Sequence, residues 1–219
     1  MADEQATDLR EACEGLRARA PTPVAIIDVD EVLGLFVQGF DRFLRGRGHE
    51  LRMTSFALFG NLYPLGASEP ADKVVGKALF DGYFAEGCGE MEVAPGAAEA
   101  LAHVAERAAV VILTNAPECS RTLRGGWLAK HGLPYPLIVN AGPKGPPVAA
   151  LAEAAGGRAA FVDDLLSNLD SVAEHAPAAA RFQLVADPAL RSMAPRSDRH
   201  ARAESWAELE GELARALAP

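Results

Sequence analysis

Apolar positions recur at helical spacing from the start of the chain. Leu9, Cys13, Leu16 and Ala20 predict a helix over residues 3–19, which Pro21 and Pro23 end. Val24-Ala-Ile-Ile-Asp28 is an unbroken apolar run closed by an acid, the pattern of a parallel strand buried on both faces. Leu33, Phe36, Val37, Phe40, Phe43 and Leu44 predict a second helix over 32–45, closed by Gly46 and Gly48. Periodicity is lost over 50–70, where Gly60, Pro64, Gly66 and Pro70 break the chain. Ser68-Glu-Pro-Ala-Asp72 then opens a helix carried to Phe84 by Val74, Val75, Leu79, Phe80 and Phe84.

From Pro95 the rhythm changes. Helices over 95–106, 117–131, 145–155, 165–175 and 205–217 alternate with apolar runs at 110–113, 137–139, 159–162 and 182–185. Such alternation predicts an α/β fold, a Rossmann-like parallel sheet with helices on both faces. Residues 33–90 hold helices and loops but no clear strand run. The simplest division is an α/β core from 1–32 and 91–219, with a small, mainly helical cap inserted at 33–90 after the first strand.

The 219 residues are 49% hydrophobic and 23% charged, as in a globular protein able to bury a core without disulfides. The net charge of −9 argues against nucleic acid as a partner, since affinity there comes from Lys and Arg neutralising phosphates. The acidic start has no apolar h-region and no run is long enough to span a bilayer, so no membrane association is expected. Three cysteines without CxxC spacing read as reduced thiols, and hence a cytoplasmic protein. Monomer and homodimer both remain open.

In open parallel sheets ligands bind beyond the carboxyl ends of the strands. The first strand is followed by Asp28 and Asp30, the second by Thr114 and Asn115, the third by a loop holding Lys144, and the fourth by Asp163 and Asp164, with Asn168 one turn later. Alternate residues of an extended segment point the same way, so Asp28 and Asp30 can address one site. Four carboxylates there repel one another, and a hard divalent cation such as Mg²⁺ resolves the repulsion. A hydroxyl and a lysine beside them complete the parts needed for phosphoryl transfer.

These segments, Ile26-Ile-Asp-Val-Asp30, Leu113-Thr-Asn115, Lys144 and Phe161-Val-Asp-Asp164 with Asn168, resemble in order the motifs of the haloacid dehalogenase (HAD) superfamily. The resemblance implies that Asp28 is a nucleophile forming an aspartyl-phosphate and also a Mg²⁺ ligand. Asp30 is implied as general acid/base, with its backbone carbonyl facing the metal. Thr114, Asn115 and Lys144 are implied to bind the phosphoryl group, Asp164 to ligate the metal directly, and Asp163 and Asn168 to orient the site. The insert occupies the position of a C1-type cap. Having both aspartates favours a phosphatase of a small phosphorylated molecule over a dehalogenase. Asp28-Val-Asp-Glu-Val-Leu33 is also similar to deoxyribonucleotidase-type members. Many relatives read Gly-Thr after the second aspartate, where this chain has Glu31-Val32.

Plainer readings compete. Thr114, Asp163 and Asp164 are residue types that also cap helices, and a solvated surface lysine is the lesser reading of Lys144. The cap basics Arg42, Arg45, Arg47, Arg52, Lys73 and Lys77 read first as a solvated face, and Phe56, Phe59 and the helical phenylalanines as cap core. The departure at Glu31-Val32 keeps open a catalytically silent binding or regulatory protein, and a phosphotransferase or phosphomutase is a third reading.

Overall fold

A computed structural model describes residues 2–156 and 158–218, with the side chains of residues 2 and 3 set aside. Six strands, β1 (Val24–Ile27), β4 (Ala109–Thr114), β5 (Leu137–Val139), β6 (Ala159–Asp163), β7 (Ala180–Leu184) and β8 (Ala201–Ala203), form one sheet in the order β5-β4-β1-β6-β7-β8. Every pairing in it is parallel.

The apolar runs are continuous because both faces of the central strands are covered. Along β1, Val24 and Ile26 enter one apolar cluster, and Ala25 and Ile27 the other. β4 and β6 repeat the alternation, as the period of two requires. On the first face lie α1 (Ala2–Arg17), α6 (Gly145–Ala155) and α7 (Leu166–His175), through Cys13, Leu16, Val148, Leu151, Leu169 and Val172. The opposite face carries α4 (Ala97–Ala105), α5 (Arg121–Lys130) and α8 (Trp206–Ala216), with Leu101, Trp127, Leu128, Trp206 and Leu213 in its core.

Between β1 and β4 run α2 (Phe36–Arg45), the antiparallel pair β2 (His49–Leu51) and β3 (Leu62–Pro64), and α3 (Lys73–Glu86). Rings of Phe36, Phe40, Phe43, Phe80, Tyr83 and Phe84 pack with centroids 4.8–6.2 Å apart. This cluster is continuous with the core on the α4–α5–α8 face.

Three elements differ from expectation. The β2–β3 pair falls in the segment read as strandless, because strands of three residues, one ending in proline, show no alternation long enough to register. β8 is equally short and sits at the sheet edge. The helix expected over 32–45 begins only at Phe36, since residues 31–35 form a tight turn over the end of β1. Among the described residues no helix is long and apolar enough to cross a membrane.

Candidate active site

The chain crosses from one side of β1 to the other on successive excursions, to β4 and later to β6, so a crevice opens beyond the carboxyl ends of these strands. Asp28 directly follows β1, Thr114 ends β4 and Asp163 ends β6. Lys144 joins them at the N-cap of α6. Its approach depends on the next residue: a Cβ on Gly145 would stand 2.3 Å from the Ser171 carbonyl oxygen of α7. Glycine lets the start of α6 press against α7 and drives the lysine inward.

Lys144 is 1% exposed, and its Nζ donates to Asp28 Oδ1 at 2.6 Å and to Asp163 Oδ2 at 2.7 Å. Burial opposes its charge, but Asp163 and Asp28 outweigh burial and hold its pKa above the usual lysine value. Asp163 accepts further hydrogen bonds from the Leu165 N–H at 2.9 Å and from Asn168 Nδ2 at 2.9 and 3.1 Å. Both of its oxygens are thereby used within the protein.

Asp164 is different. Among the described residues its carboxylate accepts no protein hydrogen bond, although the residue is buried. Burial first, then Asp163 and Asp28, push its pKa well above the ordinary value. Asp28 is pushed up to about 7, mainly by burial, with Asp163 and Asp30 adding and Lys144 opposing. Asp28, Asp163 and Asp164 each offer an oxygen within 4.8 Å of the others. Three buried carboxylates facing one ammonium leave an excess of negative charge, and Asp164 and the second Asp28 oxygen lack a donor. A hard divalent cation bound through oxygen fits this donor set.

Asp30 lines the same cavity as Asp28 but is ion-paired to Arg124 of α5, which is fully buried. Arg124 Nη1 also lies 3.3 Å from Met91 Sδ, and its Nε has no hydrogen-bond partner among the described residues. Sequence reasoning missed this arginine. The available signal was a charged residue three positions before Trp127 on a helix face that packs inward.

Glu31 occupies the left-handed region, at φ 59°, where glycine is the easy choice. Its side chain compensates locally. Oε1 accepts the Val37 N–H at 2.8 Å, capping α2 where Leu35 supplies no side-chain cap, and Oε2 receives the Asp187 N–H at 3.4 Å. The Glu31 carbonyl accepts from Ala186 N at 2.7 Å, and Trp206 Nε1 donates to the Val32 carbonyl at 2.9 Å. A tight turn over Asp28 is therefore kept without the usual Gly-Thr. Burial pushes the Glu31 pKa up to about 7.

Thr114 is fully buried, with Oγ1 accepting the Ala116 N–H at 3.3 Å, and it is not part of the cavity wall. Asn115 lines the cavity while its amide is held by Asn140 at 2.7 Å and the Gly142 carbonyl at 3.0 Å. Asp28, Asp30, Lys144, Asp164 and Asn168 all line this cavity of about 400 Å³, and Asp163 lies behind it.

No family model matches the chain, and no curated protein matches it. Solved structures do. A HAD-superfamily hydrolase (subfamily IA, variant 1) from Geobacter sulfurreducens superposes with a TM-score of 0.54 at 17% identity, over 88% of this chain and 97% of that one. The fold is the haloacid dehalogenase fold. A HAD-like hydrolase from Xanthomonas campestris gives 0.53 at 16% identity, covering 90% and 96% of the two chains. D,D-heptose 1,7-bisphosphate phosphatase from B. bronchiseptica, crystallised with magnesium and phosphate, gives 0.51 at 13%, covering 89% and 99%. The fold implied by the motifs is thus the fold observed, with Asp28 and Asp163 at the ends of neighbouring strands β1 and β6 and Lys144 reaching them from the start of α6.

Proposed function

We propose that this protein is a Mg²⁺-dependent hydrolase of phosphate monoesters, acting through an aspartyl-phosphate on Asp28, with residues 33–90 as its cap. The observation that supports this best is the unequal use of the buried acids. Lys144 fixes Asp28 and Asp163 in place, Asn168 orients Asp163, and Asp164 is left with free oxygens toward the cavity. Asp28, Asp164 and the Asp30 carbonyl would hold Mg²⁺, which when bound offsets the negative charge of the incoming phosphate. The Mg²⁺ and phosphate of the B. bronchiseptica phosphatase accord with this reading.

The chain's own groups then divide the chemistry. The free oxygen of Asp28 attacks phosphorus and the ester P–O bond breaks, while Asp30 gives its proton to the departing oxygen. Asp30, now a carboxylate, takes a proton from water, whose oxygen attacks phosphorus and releases Asp28 and inorganic phosphate. Lys144 keeps Asp28 aligned and lowers the cost of negative charge throughout.

One observation favours a second reading, a binding protein that does not turn over. Asp30, the group that would donate to the departing oxygen, is instead engaged by the buried guanidinium of Arg124. Phosphate release from a panel of monoesters (nucleotides, sugar phosphates and an aryl phosphate) with and without Mg²⁺ separates the two. Metal-dependent release is expected. Mg²⁺ binding by folded protein with no release from any ester would favour the silent binder, and transfer to a sugar in place of water would mark a phosphotransferase.

A further inference from the structure

The cap wall of the cavity narrows the substrate class. Of nine phenylalanines in the chain, five line this one cavity: Phe36, Phe56, Phe59, Phe80 and Phe84, joined by Met53. The helical three also pack on one another, so their periodic spacing alone marks them only as apolar. Phe56 and Phe59 come from the loop between β2 and β3, and that loop is built rather than loose. Buried Asn61 accepts from Thr54 N at 3.1 Å and from Thr54 Oγ1 at 2.8 Å, and its Nδ2 donates to the Ala57 carbonyl at 2.6 Å.

Charge is missing from this wall. The sole cation of the lining, Lys144, already serves two carboxylates. The cap guanidiniums face elsewhere: Arg42 pairs with Glu92, Arg45 with Asp41, Arg47 with Glu86 and Arg52 with Glu50. A second phosphate or a carboxylate on the substrate would lose its water against ring faces that carry negative charge, above a floor that is already acidic. Sugar hydroxyls and base edges fare little better. Asn115 is engaged at both ends of its amide and Asn168 through its Nδ2, and the upper wall offers no polar side chain in their place. An ammonium would meet aromatic faces, but three of the four lining carboxylates are already engaged, Asp28 by Lys144, Asp30 by Arg124 and Glu31 by the Val37 and Asp187 N–H groups, and the fourth, Asp164, is grouped with Asp28.

The mouth adds an independent sign. Phe59 on the cap side is 52% exposed and Leu165, at the start of α7, is 43% exposed. Both line the cavity, and an apolar group covering them would remove that surface from water.

We infer that the substrate is a phosphate monoester whose leaving group is uncharged and hydrocarbon-like, an apolar alcohol or phenol that fills the Phe- and Met-lined wall. This rests on the phosphatase reading, and the test separates the two. Phosphate release is measured with Mg²⁺ for methyl, butyl and hexyl phosphate and phenyl phosphate, beside ribose 5-phosphate, 3-phosphoglycerate, thymidine 5′-monophosphate and phosphocholine. In parallel, binding of methyl-, butyl- and hexylphosphonate to the Mg²⁺-loaded protein is measured by calorimetry. The expected kcat/KM rises about fourfold per added methylene until the cavity is full, and phosphonate affinity rises with it. Phe59→Glu, at a solvent-facing position, flattens both slopes. Faster turnover of any of the four polar or charged esters than of hexyl phosphate overturns the substrate class and leaves the phosphatase reading intact. Chain-length-dependent phosphonate binding without any turnover keeps the apolar pocket and removes the hydrolase. Neither turnover nor such binding overturns both.

Discussion

Replacing Lys144 with methionine removes the cation that bridges Asp28 and Asp163 while keeping most of the side-chain volume. The lysine is 1% exposed and contacts Asp28 at 2.6 Å and Asp163 at 2.7 Å. Removing one partner of a buried ion pair costs about 3–5 kcal/mol, a large part of a total stability of about 5–15 kcal/mol. The cost depends on pH with a definite sign. Asp28 is already pushed up to about 7, and losing the ammonium raises it further. At pH 5 the Asp28 of the variant takes up a proton and part of the penalty disappears. At pH 8 ionising Asp28 among the other acids costs the variant more than the wild type, and the larger penalty is expected. Urea unfolding of both proteins at pH 5 and pH 8, without metal, measures the difference. A variant within about 1 kcal/mol of the wild type at pH 8, or one penalised more at pH 5 than at pH 8, would refute the reasoning. Mg²⁺ at a hundredfold excess over its dissociation constant should restore about 2.7 kcal/mol to a protein that still binds it.

Other outcomes follow from the same geometry. The metal-free wild type should lose stability as pH rises from about 4 to about 7, because Asp28 and Glu31 both have folded pKa values raised to about 7; each contributes a slope of at most about 1.4 kcal/mol per pH unit. Glu31→Gln keeps an acceptor for the Val37 N–H and should flatten that slope in urea titrations across the same range, whereas an unchanged slope would remove Glu31 as a contributor. Arg124→Leu should lower kcat about tenfold to a hundredfold with little change in KM, because Asp30 loses its positioning partner, while Arg124→Lys recovers part of the loss; a KM effect alone would contradict this role. Asn61→Ala should destabilise the protein by about 1–3 kcal/mol and raise KM more than it lowers kcat, since the loop carrying Phe56 and Phe59 loses its buried anchor.

What could be read from the sequence was the part encoded by short-range pattern. Apolar runs such as Val110–Leu113 announce doubly buried strands because their side chains serve both faces of the sheet. Polar residues directly after such runs mark the crevice, which is how Asp28, Asp163 and Asp164 could be grouped before any fold was known. Long-range partners left no such trace. Arg124 meets Asp30 only because α5 packs beside the turn after β1, and one arginine on a helix resembles any other in sequence. Glu31 is visible as a departure, but its part in holding the turn depends on Val37 and Asp187, 6 and 156 residues away. The phenylalanines between β1 and β4 show the same limit in another form. Helical spacing marks Phe80 and Phe84 as buried-type residues, yet only tertiary packing decides that they face a cavity as well as each other. Thr114, chosen for its hydroxyl, lies behind the cavity wall with Oγ1 turned to the Ala116 amide.

The central claim is that Asp28 carries the phosphoryl group during turnover. The most direct measurement mixes the Mg²⁺-loaded protein with the best ester from the alkyl series, quenches it in acid within the first turnover, and maps phosphorylation by peptide mass spectrometry. The account predicts a phosphorylated peptide containing Asp28 that appears and decays at rates consistent with phosphate release, and a folded Asp28→Asn variant showing neither the modification nor release. Full turnover by folded Asp28→Asn, or a phosphoryl group trapped on a different residue, would contradict it.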